Sequence, residues 1–345
     1  MTGIAIVGRG AMGSTHARAL ESLGRGEQIR YVVSRTAGGE AEAAPAASVI
    51  SDFEVVLDDP EIDVVSICTP TGTHRELAVS ALRAGKNVLL EKPIALAMDD
   101  ARAIRDEAQR SGKVFMVAQV VRFFDGYRQL ADDVAAGKLG RLLSARATRL
   151  SSKPDWADWL RDFAEAGGML VDFGIHDFDQ MNLLLGDPVE VSATGPSVPG
   201  ARNASGPVET TITYRDGGIG QVLSYADLSS GAPFRSSVEV VGTGGFAQYE
   251  YAAASSGSSA VSRYSLSAVA HDSRFSLAAE DPYARQLEYF LDCVAREVEP
   301  GFCPTLSALV ALEVALAATK SLELGVPVRL DSNSNSNSNS AAADA

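Results

Sequence analysis

The chain has 345 residues, a formal net charge of −14 and only four histidines. This length predicts two domains rather than one small core. The acidic balance argues against nucleic acid as a partner, because binding to phosphates requires a basic surface.

The first predicted elements are a buried strand at residues 4–7 and a helix rich in Ala and Leu, joined by Gly8, Gly10 and Gly13. This G-x-G-x-x-G pattern is typical of a dinucleotide-binding turn. Gly8 allows the tight turn, Gly10 lets the backbone approach a pyrophosphate, and Gly13 permits close packing of helix and strand. The free N–H groups at the helix start then hold the anion. The predicted cofactor contacts in this turn are Gly8, Arg9, Gly10, Ala11, Met12 and Gly13.

The end of the second predicted strand bears on the choice of dinucleotide. Proteins that bind NAD usually place an acidic residue there, about 20 positions beyond the glycines. Here the strand ends in Ser34-Arg35, and the next carboxylate is Glu40. Since a guanidinium pairs well with a 2′-phosphate, we expect NADP(H) to be preferred and NAD(H) to be possible. Arg35 would be the main determinant, with Ser34 assisting; a solvated loop arginine is the alternative.

Two further strand-like runs, residues 64–68 and 87–90, each end in a distinctive loop. Open α/β sheets bind ligands at the carboxyl ends of parallel strands, so these loops are expected near the nicotinamide. The predicted cofactor contacts in this part of the chain are Thr69, Pro70, His74, Glu91 and Lys92. For His74, capping of the next helix is the alternative.

The stretch from Gly167 to Asp179 has a Gly-Gly entry followed by Asp172 and His176. A separation of four residues makes the two side chains neighbours on a helix. An imidazole with a carboxylate beside it can transfer protons near neutral pH. The pair is therefore a candidate for acid–base chemistry, and a capping or surface pair is the alternative.

We place the first domain at residues 1–121 and the second at 122–330. In the second domain, a helix over 129–136 and a strand over 142–150 precede the motif helix, and alternating segments with Gly turns indicate a sheet. Residues 252–270 are expected to be an irregular excursion, and helices over 282–297 and 305–324 close the fold. The Asn- and Ser-rich tail, 331–345, should be disordered.

Cysteine and histidine usage, together with the N-terminus, indicates the compartment. Cys68, Cys293 and Cys303 form no C-x-x-C pair, which favours a reducing cytoplasm. The histidines lack the spacing of a zinc site, so we expect no metal. The N-terminus does not resemble a secretory signal, and no apolar run approaches membrane length, so we expect no membrane association.

Four motifs, in this order, resemble the Gfo/Idh/MocA oxidoreductase family: GRGAMG, SICTPTGTH, Glu91-Lys92-Pro93 and GGMLVDFGIHDFD. The resemblance extends from the first strand to about Gly325. It implies an α/β fold, with an N-terminal Rossmann domain that has a doubly wound parallel sheet and a C-terminal α+β domain that has a large open, mostly antiparallel sheet. It also implies NAD(P)-dependent oxidoreduction of sugars, cyclitols or related compounds. Homo-oligomers, dimers or tetramers, would join through the second sheet.

The resemblance also implies catalytic roles, because Lys92, Asp172 and His176 match the family's usual catalytic positions. We expect hydride transfer between nicotinamide C4 and a secondary carbinol carbon of a polyol or sugar. His176 would be the base for oxidation, since its ordinary pKa lies near working pH. Lys92 would stabilise alkoxide charge, and Asp172 would orient the substrate or the imidazole.

Further residues could contact the substrate or cofactor. The candidates are Arg122, Tyr127, Trp156, Trp159 and Arg161. Two other functions stay open at this point: a nicotinamide-dependent, redox-neutral glycosidase, and a non-catalytic dinucleotide-binding sensor.

Overall fold

The structure is a computed structural model, and it describes residues 2–35, 41–152, 163–196, 206–229, 231–253, 260–269, 271–277 and 281–330. Within these residues the strands form one sheet of six and one of nine.

The six-stranded sheet is entirely parallel, in the order β3-β2-β1-β4-β5-β6. Its strands are apolar runs because helices bury both faces of such a sheet. The order reverses between β1 and β4, which is the switch point where doubly wound sheets bind ligands. The strands are β1 Gly3–Val7, β2 Ile29–Val33, β3 Ser48–Ile50, β4 Ile62–Ile67, β5 Asn87–Glu91 and β6 Phe115–Ala118. The helices are α1 Ala11–Ser22, α2 Glu54–Asp58, α3 His74–Arg83 and α4 Met98–Ser111. The predicted Rossmann architecture is confirmed.

The nine-stranded sheet has the order β14-β13-β12-β11-β7-β10-β9-β8-β15. Only the β7–β10 pair is parallel among these neighbours, so the predicted mostly antiparallel sheet is also confirmed. The strands are β7 Leu142–Ser152, β8 Pro188–Thr194, β9 Val208–Tyr214, β10 Ile219–Leu228, β11 Arg235–Gly242, β12 Gly245–Ala252, β13 Val261–Ala268, β14 His271–Ser276 and β15 Val328–Arg329.

The prediction of an irregular excursion over residues 252–270 was wrong for its second half, where β13 forms. Tyr264 and Leu266 alternate with exposed or half-exposed residues and point into the core. Ser265 and Ser267 occupy the outward positions, where a strand tolerates polar side chains. The high serine content of this segment therefore made the alternation of buried and exposed residues, which is typical of a strand, hard to recognise in the sequence.

Helices pack on one face of the large sheet. They are α5 Asp125–Ala135, α7 Ile175–Leu185 and α9 Thr305–Leu324. The short helix α6 Phe163–Ala166 lies instead beside residues 71–73 of the first domain. Helix α9 is long and apolar enough to cross a membrane, contrary to the expectation that no run approaches that length. It packs on α7 and β8, and half of its most apolar window is buried. We therefore interpret α9 as a core helix.

Helix α8, Pro282–Arg296, returns to the first domain and packs against α1. Leu287 and Phe290 share a buried cluster with Ile4 and Leu20 of the nucleotide-binding unit. The proposed boundary at residue 121 separates the two sheets, but a C-terminal helix contributes to the first core. The predicted tail, 331–345, lies outside the described residues.

Candidate active site

The glycine turn between β1 and α1 has the shape that a dinucleotide needs. Gly8 adopts φ +108, and a Cβ there would overlap the carbonyl of Cys68. A Cβ at Gly13 would overlap the carbonyl of Gly8, so the helix packs directly on the turn. At Gly10 an added Cβ would meet no described atom within 4 Å. That open space lies at the start of α1, which no side chain caps. Its N–H groups are therefore available for an anion.

The second-strand determinants lie just beyond β2. The backbone N–H of Ser34 donates to the carbonyl of Ile50 at 2.8 Å, which fixes the chain as it leaves the sheet. Arg35 is exposed, and its guanidinium has no partner among the described residues. Glu40 lies outside the described residues. Arg35 is thus available to a ligand phosphate.

His74 links the two loops that follow β4 and β5. Its imidazole lies between two carbonyl oxygens, Nδ1 at 2.9 Å from Pro93 and Nε2 at 3.0 Å from Thr69. Burial lowers its pKa, although both hydrogen bonds oppose that shift. Because both ring nitrogens are used inside the protein, His74 positions the loops. The structure does not support the predicted direct contact with the cofactor.

Lys92 of the first domain contacts Asp172 of the second, although 80 residues separate them in the chain. The Lys92 ammonium donates to the Asp172 carboxylate and to its backbone carbonyl, both at 2.8 Å. Each side chain is 21% exposed, so the pair faces an accessible space. Glu91 accepts a bond from the backbone N–H of Lys92 at 3.1 Å and is not the partner of the ammonium. Lys92 is therefore oriented by the motif of the second domain.

Asp172 lies in a π-helical turn, Leu170–Gly174, that runs directly into α7. Gly167 and Gly168 have φ of +76 and +85, which explains the Gly-Gly entry, since other residues rarely adopt this conformation. His176 follows in the first turn of α7. The predicted helical placement of both residues is thus observed, with a π-turn at Asp172, a feature frequent at functional sites.

The His176 imidazole has a free, neutral ring at this site. Its side chain is half-buried and has no hydrogen-bond partner among the described residues. Desolvation, followed by the positive charges of Lys92 and Arg149, holds its pKa well below the usual range. The ring is therefore neutral at pH 7. Since the Asp172 carboxylate is bonded to Lys92, the geometry supports an orienting role for Asp172 toward the ammonium.

A buried ion pair behind His176 was missed in the sequence. Arg149 on β7 donates to both carboxylate oxygens of Asp177, at 2.7 and 2.9 Å, and both side chains are nearly inaccessible. The guanidinium lies 5.8 Å from the ring centroid of Phe173 and 5.6 Å from that of Phe234. The sequence did hold a signal for this burial. Side chains alternate between the two faces of a strand, and Arg149 falls in the same alternating set as the buried Ala145 and Ala147 of β7.

Two predicted substrate contacts lie in the core instead. Arg122 is buried and donates to Asp179 at 2.8 and 2.6 Å and to the Phe302 carbonyl at 2.6 Å. Tyr127 is also buried and packs edge-on against Tyr249, with ring centroids 5.2 Å apart. Neither side chain is free to contact a polyol, so these two predictions were wrong in placement. The other candidates, Trp156, Trp159 and Arg161, lie outside the described residues.

Within the described part of the chain, no group of three or more His, Cys, Asp or Glu residues is arranged to hold a metal ion. The ionisable groups that the described residues bring together here are the ammonium of Lys92, the carboxylate of Asp172 and the imidazole of His176.

Known proteins match the chain over nearly its full length. Residues 2–119 match the family "Oxidoreductase family, NAD-binding Rossmann fold", and residues 127–248 match "GFO/IDH/MocA C-terminal domain". Scyllo-inositol 2-dehydrogenase (NAD(+)) from Bacillus subtilis (strain 168) is 28% identical over 351 residues, covering 95% of this chain and 96% of that protein. Trans-1,2-dihydrobenzene-1,2-diol dehydrogenase from Macaca fuscata fuscata is 31% identical over 252 residues, covering 70% and 72%. Levoglucosan dehydrogenase in complex with NADH shares the fold, with a TM-score of 0.81 at 21% identity, covering 96% and 99%.

Proposed function

Because the chain belongs to the Gfo/Idh/MocA family of NAD-binding oxidoreductases, we propose that it oxidises a secondary alcohol of a neutral polyol or sugar, and reduces the matching ketone. The observation that carries this proposal is the Lys92–Asp172 pair beside the neutral His176. Lys92 directly follows β5, whereas Asp172 and His176 lie where the π-helical turn runs into α7. The end of β5 is at the same edge of the parallel sheet as the glycine turn.

In the proposed reaction, bound nicotinamide supplies the hydride chemistry at C4. His176 takes the hydroxyl proton during oxidation and returns it during reduction. The ammonium of Lys92 donates a hydrogen bond to the same oxygen and stabilises the charge that develops there. Asp172 holds that ammonium by two contacts, through its carboxylate and its carbonyl, so that Lys92 is oriented before the substrate arrives.

Charge balance supports a neutral substrate. Among the described residues, the two cations whose charges lower the pKa of His176 are Lys92 and Arg149, and each is paired with a carboxylate, Asp172 and Asp177 respectively. A phosphorylated substrate would have to compete with these carboxylates for the same positive groups. The similarity to an inositol dehydrogenase over 95% of the chain supports a cyclitol or a sugar as the substrate class.

The test is to follow reduced-nicotinamide absorbance while the purified protein is given inositols, aldoses and their keto forms, with NAD(H) and NADP(H) in parallel. We expect absorbance to change in proportion to product. Substrate conversion without accumulation of reduced cofactor would favour a redox-neutral glycosidase. Tight dinucleotide binding without conversion of any compound would favour a sensor.

For the cofactor, we propose a preference for NADP(H) carried by Arg35. We expect Arg35→Ala to lower the ratio of kcat/KM for NADP to kcat/KM for NAD by about tenfold, because a charge-assisted pair with the 2′-phosphate is lost. The control is Arg30→Ala, which removes an exposed arginine from β2, the strand that precedes Arg35. An unchanged ratio in Arg35→Ala would contradict this assignment.

We also propose a homo-oligomer that forms through the face of the large sheet opposite α7 and α9. Ile219 and Val241 are 44% and 43% exposed, and both flank Ser144 across adjacent strands. Phe246 lies directly beside Val241 and extends this apolar row. We expect the double variant Ile219→Glu/Val241→Glu to sediment as a smaller species than the wild type. Equal sedimentation coefficients would exclude this face as the interface.

A further inference from the structure

Behind the glycine turn lies a second cluster of reactive side chains that the proposed chemistry does not use. His16 of α1 is fully buried. Its Nε2 lies 3.0 Å from a carboxylate oxygen of Glu91, and its Nδ1 lies 2.8 Å from the hydroxyl of Ser66. The sulfur of Cys68 lies 3.5 Å from the same Nδ1 and 3.6 Å from the same hydroxyl. The imidazole of His16 therefore contacts the thiol of Cys68 on one side and the carboxylate of Glu91 on the other.

The carboxylate of Glu91 determines which ring nitrogen of His16 carries the hydrogen. A carboxylate only accepts hydrogen bonds, so Nε2 carries its hydrogen toward Glu91. In the neutral ring, Nδ1 is then the acceptor, and it faces both the hydroxyl of Ser66 at 2.8 Å and the sulfur of Cys68 at 3.5 Å. This is the order of nucleophile, base and orienting group that activates a nucleophile. Burial opposes protonation, but the charges and hydrogen bonds of Cys68 and Glu91 raise the pKa of His16 to about 10. The ring of His16 therefore holds a proton well.

The backbone of Cys68 also lies next to the glycine turn. Cys68 directly follows β4, and its carbonyl is the atom that a Cβ at Gly8 would overlap. Cys68 is partly exposed, whereas Cys293 and Cys303 are buried. Burial raises the pKa of Cys293 and raises that of Cys303 to about 12, which keeps both thiols protonated.

We propose that Cys68 is a modification site, a nucleophilic thiol activated by His16 and Glu91 that captures soft electrophiles and thereby blocks the dinucleotide site. With an alkyl halide, the sulfur–carbon bond forms as the carbon–halogen bond breaks. The halide leaves with the bonding electrons, and the thiol proton passes to Nδ1 of His16. Because the backbone of Cys68 packs against the glycine turn, we expect an added group on this residue and the bound cofactor to exclude each other.

The experiment treats the native full-length protein with iodoacetamide and measures carbamidomethylation of each cysteine peptide over time by mass spectrometry. We expect Cys68 to react at least about tenfold faster than Cys293 and Cys303, because Cys68 is partly exposed and lies beside His16, whereas burial keeps the other two thiols protonated and inaccessible. Saturating NADP(H) or NAD(H) should slow Cys68 by about the same factor and leave the other two unchanged. Dinucleotide binding is measured separately by the fluorescence of the reduced cofactor, so that failure of the proposed function is recognised on its own.

Two variants sharpen the test. Cys68→Ser should keep its dinucleotide affinity after iodoacetamide treatment, whereas the treated wild type should lose it. His16→Gln should slow Cys68 labelling by about tenfold without changing that of the buried cysteines. If His16→Gln unfolds, faster labelling of Cys293 and Cys303 will reveal it, and the wild-type rates then decide alone. Labelling of Cys68 no faster than that of the buried thiols, or undiminished by a dinucleotide that binds, would overturn the proposal.

Discussion

Replacing His176 with Asn should lower kcat by about three orders of magnitude, because the reaction loses the group that moves the hydroxyl proton. The dissociation constant of the dinucleotide should not change, since the glycine turn belongs to the other sheet. Asn keeps a similar volume beside Lys92, so a folding defect is not expected. The measurements are kcat with the best substrate and cofactor binding by fluorescence titration.

The lowered pKa of His176 also determines how the rate of alcohol oxidation depends on pH. A lowered pKa means that the ring stays neutral as the pH falls below 6.5, the ordinary value for histidine. The wild-type rate of alcohol oxidation should therefore fall on the acid side only well below that value. Near wild-type turnover in His176→Asn would show that another group moves the proton.

Two lysine variants show whether a fall in kcat comes from losing the ammonium of Lys92 or from losing any positive charge of this domain. Lys92→Met removes the ammonium that the Asp172 carboxylate holds at 2.8 Å, and we expect a fall in kcat of about two to three orders of magnitude. Lys113→Met removes an exposed lysine of the same domain and should leave kcat unchanged. Equal rates in the two variants would remove Lys92 from the mechanism.

The parallel sheet and the motif helix could be predicted because local patterns carry them. An apolar run before a glycine turn specifies a buried strand, and Gly-Gly before Asp172 specifies a helix entry. The meeting of Lys92 with Asp172 has no local signal, because 80 residues separate them. The resemblance carried by four motifs along the chain predicted that both belong to one catalytic set, but it did not predict the contact between them. The fold therefore followed from periodicity, whereas the grouping of site residues depended on the family pattern.

The wrong placements share one physical cause. Arg122 and Tyr127 are polar or aromatic residues beside a domain junction, and residue type alone does not say which way a side chain points. In the structure the guanidinium of Arg122 is neutralised by Asp179, which makes its burial tolerable. A partner 57 residues away cannot be read from local sequence. Buried ion pairs are thus the part of this site that sequence reasoning missed, and Arg149 is the second instance.

That second pair gives the largest expected effect on stability. Arg149→Met should lower the free energy of unfolding by about 3–5 kcal/mol, because Asp177 is left as an unpaired buried charge. Methionine retains most of the apolar stem, so the loss is not one of packing volume. The measurement is urea denaturation at neutral pH, followed by circular dichroism.

Arg235→Met is the matched control, since Arg235 lies on the neighbouring strand and pairs with Glu250 on the exposed face. Such a surface pair should cost no more than about 1 kcal/mol. The double variant Arg149→Met/Asp177→Leu should regain most of the lost stability, because no charge is then left without a partner. If the double variant were as unstable as Arg149→Met, the contacts of Arg149 with Phe173 and Phe234, rather than the ion pair, would hold α7 and His176 against the sheet.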